Sequence, residues 1–128
     1  MSVSTAKSMI LKAQDAIDTA KKNLNDDKQH DVAGYNLAQA AELFLKACLE
    51  MRELEYPHDD EGHDLDVLMQ ILEEEGFAEI SSHADVVELT PYNDTRAHIR
   101  PDERLNLQEY LGYIDDLKKL VGEQLKLF

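Results

Sequence analysis

The sequence predicts an all-α fold, an antiparallel up-and-down four-helix bundle with one additional short helix. Three observations predict it. Apolar residues recur at steps of three and four in four separate segments, no segment shows the strict alternation of a strand, and the connections are brief and polar. Short connections make successive helices antiparallel neighbours. At 128 residues the chain can bury one core but not two, so a single domain over residues 1–128 is expected.

The segment at residues 4–25 carries Met9, Ile10, Ala13, Ile17, Ala20 and Leu24 on one face and mostly lysines and aspartates on the other, the pattern of an amphipathic helix. Residues 31–52, with Asp31 as the expected N-cap, form the central helix. Its stripe is Leu37, Ala40, Ala41, Phe44, Ala47, Cys48 and Met51. The alanines let neighbours come close, and Leu43, Leu45 and Leu49 lie outside the stripe, so this helix is expected to touch partners on more than one side. Pro57 and Gly62 then break the period, Asp64 can cap, and Leu65, Leu68, Met69 and Leu72 make a short third helix ended by Gly76. Phe77 and Ile80 are expected to fold back on the core. Ser82 and Asp85 resemble a capping box that opens a brief turn closed by Pro91. Residues 92–101 read as loop, and Pro101, Asp102 and Glu103 suit the first turn of a last helix running almost to Phe128. Gly112 and Gly122 inside it each cost about 1 kcal/mol relative to alanine, which implies close packing or weakness there.

Hydrophobic residues make up 43% of the chain, enough to exclude disorder. Twenty-seven acids against thirteen lysines and arginines give a formal net charge of −14, which opposes sequence-blind binding to phosphate backbones, so any nucleic-acid contact has to be local. The lone Cys48 lies in the central helix, so there is no disulfide framework and a cytoplasmic protein is expected. No apolar run at the N-terminus is long enough for a signal peptide or a membrane span.

Three stretches in this order, YNLAQAAELFLKACLE at 35–50, GHDLDVLMQIL at 62–72 and LTPYNDTRAHIRPDE at 89–103, resemble the HEPN (higher eukaryotes and prokaryotes nucleotide-binding) family over nearly the whole chain. The resemblance implies an antiparallel helical bundle, often a homodimer, tied to nucleotide or RNA chemistry. Many such proteins are metal-independent ribonucleases or toxins paired with a small nucleotidyltransferase, and others are noncatalytic binding modules. The nuclease members carry, around the start of the last long helix, an arginine and a histidine with four to six residues between them. Here Arg96 is followed by His98 after a single residue, and no later histidine exists. Arg52 and His58 satisfy the spacing only across Pro57, at the end of the wrong helix. The Thr-Arg-Tyr-Pro variant of the family is closer to Thr95, Arg96 and Pro101. His63 and Asp64 match the family's His-Asp-Leu before the third helix, where the histidine orients the loop.

From Glu53 to Glu88 there are thirteen acids and no lysine or arginine; Arg96, Arg100 and Arg104 then follow within nine residues. The planar guanidinium binds phosphate or carboxylate at two points, so three of them beside a helix start can form an anion or nucleotide pocket. The plainer alternative is that they neutralise the acidic third helix or a partner subunit. The HDDEGHD loop at 58–64 offers imidazoles and carboxylates but matches no zinc or calcium template; an exposed acidic loop with a helix cap explains it, and neither metal nor cofactor is expected. Tyr35, Tyr92, Tyr110 and Tyr113 read as core or interface aromatics. Leu105, Tyr113, Leu120, Leu127 and Phe128 fall outside the main stripe of the last helix, which predicts an exposed apolar surface for a homodimer or for a nucleotidyltransferase partner.

The functional expectation is a noncatalytic module that takes a nucleotide, RNA or protein partner through Arg96, Arg100 and Arg104. The alternative is a metal-independent ribonuclease using Arg96 and His98. Those two are the right types for phosphate chemistry, a cation and a group that moves protons near neutral pH. Two residues apart on a helix they diverge, whereas in a loop they can share a side.

Overall fold

The computed structural model describes residues 2–94 and 99–128. Four α-helices, α1 (Ser2–Asn23), α2 (His30–Met51), α3 (Leu65–Glu74) and α4 (Leu107–Leu125), are joined by turns and 3-10 segments, with no strand among the described residues. The all-α bundle is therefore as the sequence predicts, with α2 as its hub: α1 packs along it, and α3, α4 and the 3-10 segment Ala78–Asn93, kinked at His83, pack on its other sides. Leu45 and Leu49, outside the main stripe, are completely buried for this reason.

Small residues set the closeness of the first pair. Ala6, Ala13 and Ala20 on α1 and Ala33, Ala40 and Ala47 on α2 each recur every seventh residue, and all six are completely buried. The turn at 24–29 folds α1 and α2 into an antiparallel hairpin, and small residues repeating at the same interval on both helices suit a close approach of their backbones. Phe44, Ile17, Leu37, Leu68, Leu89 and Ile114 fill the remaining core. Phe77 and Ile80 do fold back onto it.

Helix ends follow local chemistry, with several corrections to the sequence reading. Asp64 caps α3 by accepting from Asp66 N at 3.0 Å, and Gly76 ends it at φ +98° with Phe77 N donating to Leu72 O and Gly76 N to Glu73 O. The same paired closure ends α2, but there the left-handed position is held by Glu53 at φ 57°. Asp31 is not the cap of α2: a 3-10 turn capped by Asp26 starts the helix early, at His30, and puts Asp31 in the first turn. Ser82 forms no capping box, since its hydroxyl donates back to Glu79 O at 2.8 Å; the brief turn expected there is the second of two 3-10 stretches that meet at a kink at His83, where φ −108° and ψ 18° are not helical.

The last helix also starts later than predicted. Pro101–Glu103 is an isolated 3-10 turn, and Asn106 provides the cap by accepting from Glu109 N, so α4 begins at Leu107. Gly112 and Gly122 have no atom within 4 Å of where a Cβ would stand, so they mark weakness and not close packing. Leu120 is buried, because α4 rotates it onto the core, whereas Leu127 and Phe128 are 76% and 54% exposed.

Candidate functional site

Arg96 and His98 lie outside the described residues, as do Thr95 and Ala97. Around them the structure fixes where the arginine segment departs and where it returns. Tyr92 and Asn93 end the 3-10 segment just before it, and both side chains are fastened to α2.

Tyr92 is 5% exposed, and its ring lies on the backbone of Gly34, the close approach that only a glycine permits. Its hydroxyl stands 2.7 Å from His30 Nε2 and accepts the Leu105 N–H at 3.1 Å. One oxygen thus links the first residue of α2, the end of the 3-10 segment and the chain leading into α4. Burial and then the nearby Arg104 hold the His30 imidazole below its ordinary 6.5, against smaller opposing pulls from Asp31 and Asp27. Burial raises the Tyr92 phenol, with the Leu105 N–H pulling the other way.

Asn93 points to the other side. Its amide nitrogen donates to Glu42 Oε1 at 3.3 Å and to His63 O at 3.1 Å, while its Oδ1 accepts from Gln39 Nε2 at 3.0 Å. Glu42, only 4% exposed on α2, is the centre of this network. Its Oε2 accepts from Lys46 Nζ and its Oε1 from His63 Nδ1, each at 2.9 Å. A carboxylate in that position fixes His63 as the Nδ1–H form when neutral, leaving Nε2 for solvent or a ligand. The side chain of His63 is 54% exposed. Thr90 Oγ1 accepts the Leu65 N–H at 3.3 Å, tying the same segment to the start of α3. His63 is thereby bonded to α2 and to the end of the 3-10 segment, and Asp64 caps α3.

The described arginines divide. Arg100 is exposed and turned towards the acids of the adjacent 3-10 turn, 3.2 Å from Asp102 Oδ2 and 3.6 Å from Glu103 Oε1. Arg104, also exposed, closes that turn, makes no ion pair among the described residues, and lies near enough to His30 and Tyr92 to act on both. Arg52 and His58 are engaged separately, Arg52 over the Phe77 ring at 4.1 Å and His58 against Tyr56 at 4.7 Å. In the HDDEGHD loop Asp59 and Asp64 serve as caps, and no group of three or more metal-binding side chains is gathered among the described residues.

What the arrangement offers chemically is a basic segment whose departing foot, Tyr92 and Asn93, is tied to α2 with an imidazole on either side, and whose return, Leu105, is tied to Tyr92. Sequence reasoning missed Gln39, Glu42, Lys46, Asn93 and His30. The one signal was Glu42 itself, the acid within the otherwise apolar run 40–45. No helix among the described residues is long and apolar enough to cross a membrane. A model of the HEPN domain family matches residues 6–124. No curated protein matches the chain, and no solved structure does.

Proposed function

We propose, for a chain that belongs to the HEPN domain family, a noncatalytic binding module that takes the phosphate of a nucleotide or of RNA on Arg96, Arg100 and Arg104. The observation that carries this reading is the double fastening of the segment's foot, Tyr92 to His30 and Leu105, Asn93 to Glu42 and Gln39. Fixing the points at which a loop leaves and rejoins the fold reduces the entropy lost when it closes on a ligand. Arg104, without an acid partner among the described residues, keeps its fork for an external anion. Arg100 gives up a weak surface pair to do the same. The acidic remainder of the surface restricts such contact to this segment.

The module acts as one domain over residues 1–128, in the cytoplasm, as a homodimer or with a small nucleotidyltransferase in a toxin–antitoxin type of pair. Support for a partner comes from exposed Leu127 and Phe128. Fluorescence polarisation with a labelled short single-stranded RNA and with a labelled adenine nucleotide tests the binding. Loss of affinity in Arg96→Ala and Arg104→Ala at low salt, with the RNA recovered intact in EDTA, is the expected result. Unchanged affinity in both variants refutes the arginine site, and cleavage abolished by Arg96→Ala and His98→Ala refutes the noncatalytic reading.

A further inference from the structure

We infer that His30 is a proton-operated anchor for the chain that carries Arg104. Neutral, it holds the Tyr92 hydroxyl and, through it, the Leu105 backbone against the start of α2; protonated, it releases them. The direction follows from the hydrogen atoms available. The Leu105 N–H donates to the Tyr92 oxygen at 3.1 Å, so the phenolic hydrogen remains for His30 Nε2 at 2.7 Å, which has to be an unprotonated acceptor. Tyr92 is 5% exposed, and no other acceptor bonds its hydroxyl among the described residues. If Nε2 carries a proton, both neighbours donate to one oxygen and the phenolic hydrogen is left buried without a partner, a loss comparable to a whole hydrogen bond.

The surroundings act in the same sense. From the segment before α4, Arg104 opposes a second cation at His30. From α2 itself and from the preceding 3-10 turn, Asp31 and Asp27 favour one, but burial and Arg104 outweigh them. The Tyr92 ring cannot follow a displaced imidazole inward, since it already rests on the Gly34 backbone. Release therefore moves outward, taking Leu105 and the adjoining Arg104 away from α2. The anchor stands on this geometry alone; that its opening weakens anion binding rests on the function proposed above.

Amide hydrogen exchange, corrected for intrinsic rates, reads the anchor directly in the full chain. Between about pH 7.5 and about pH 5, protection of the Leu105 N–H is expected to fall about tenfold, the worth of one hydrogen bond, while the Phe44 amide in the core of α2 is unchanged. His30→Gln, whose side-chain oxygen accepts at any pH, removes that dependence, and His63→Gln retains it. Constant protection of Leu105 in the wild type, or a loss shared equally by Phe44, overturns the inference. Polarisation with the labelled RNA at both pH values separates the two proposals. Opening of Leu105 with no binding at either pH leaves the anchor standing and removes the binding reading. Binding without opening overturns the anchor alone.

Discussion

Gly34→Ala gives the sharpest test of how the segment's foot is built. In the interior of α2, alanine is favoured over glycine by about 1 kcal/mol, so helix propensity alone predicts a stabilised protein. The structure predicts the reverse. A Cβ on residue 34 would stand 2.1 Å from Tyr92 Cδ1, 2.5 Å from Cε1 and 2.7 Å from Cγ, contacts no rotamer adjustment of a buried ring relieves. The ring has to withdraw, and its hydroxyl then leaves His30 and Leu105. Overpacking of this kind costs about 1–3 kcal/mol and each lost hydrogen bond about 1 kcal/mol; after the propensity gain, a net destabilisation of about 2–4 kcal/mol remains. Urea denaturation followed by circular dichroism measures it as a lower midpoint at constant slope. In Tyr92→Ala, where the ring is absent, Gly34→Ala should instead stabilise by about 1 kcal/mol, closing a double-mutant cycle. If Gly34→Ala raises the midpoint in the wild-type background, the packing of Tyr92 on α2 is wrong.

Glu42→Leu leaves Lys46, largely buried, without its carboxylate, and should cost about 3 kcal/mol by urea denaturation, against about 1 kcal/mol for Glu42→Gln, which keeps one acceptor. Glu53→Gly should raise stability by about 1 kcal/mol in the same assay, because it relieves a left-handed residue at the end of α2. Asn106→Ala, which removes the cap of α4, should lower it by about 1 kcal/mol. Because the folded-state His30 sits below its ordinary 6.5, the unfolded chain takes the proton first. Its contribution to stability is intact above about pH 6.5 and is lost as the pH falls through the folded value, so the fall in urea midpoint on acidification should be smaller in His30→Gln.

The helices were legible because periodicity is set by burial, and α2 is buried along one broad face and part of another. Its leucines outside the stripe announced a hub before any contact was known. The boundaries were less legible. Pro101 satisfies a helix start locally, yet Asn106 wins because its side chain reaches Glu109 N while Arg104 and Asn106 stay extended. The candidate site was legible only as a cluster of charge. Its supports are pairings over long separations, Glu42 with His63 and Asn93, His30 with Tyr92, and nothing in the local pattern of a histidine or an asparagine says which distant partner it meets. Arg100 illustrates the converse, since its ion pairs to Asp102 and Glu103 are local enough to be read from spacing.

The two alanine rows of the α1–α2 pair carry a hidden degeneracy. Sliding α1 along α2 by seven residues would again set methyl against methyl at two of the three levels, so the rows fix the spacing of the helices without fixing their phase. Such a slide is about 10 Å, a distance that three or four added residues in the connection could span. What forbids it is the brevity of residues 24–29, drawn tight by Asp26, whose side chain accepts from Lys28 N and whose carbonyl accepts from Gln29 N. That turn works as the stop on a vernier: lengthening it with flexible residues should create a second pairing of comparable closeness, and the protein would lose uniqueness before it lost helix.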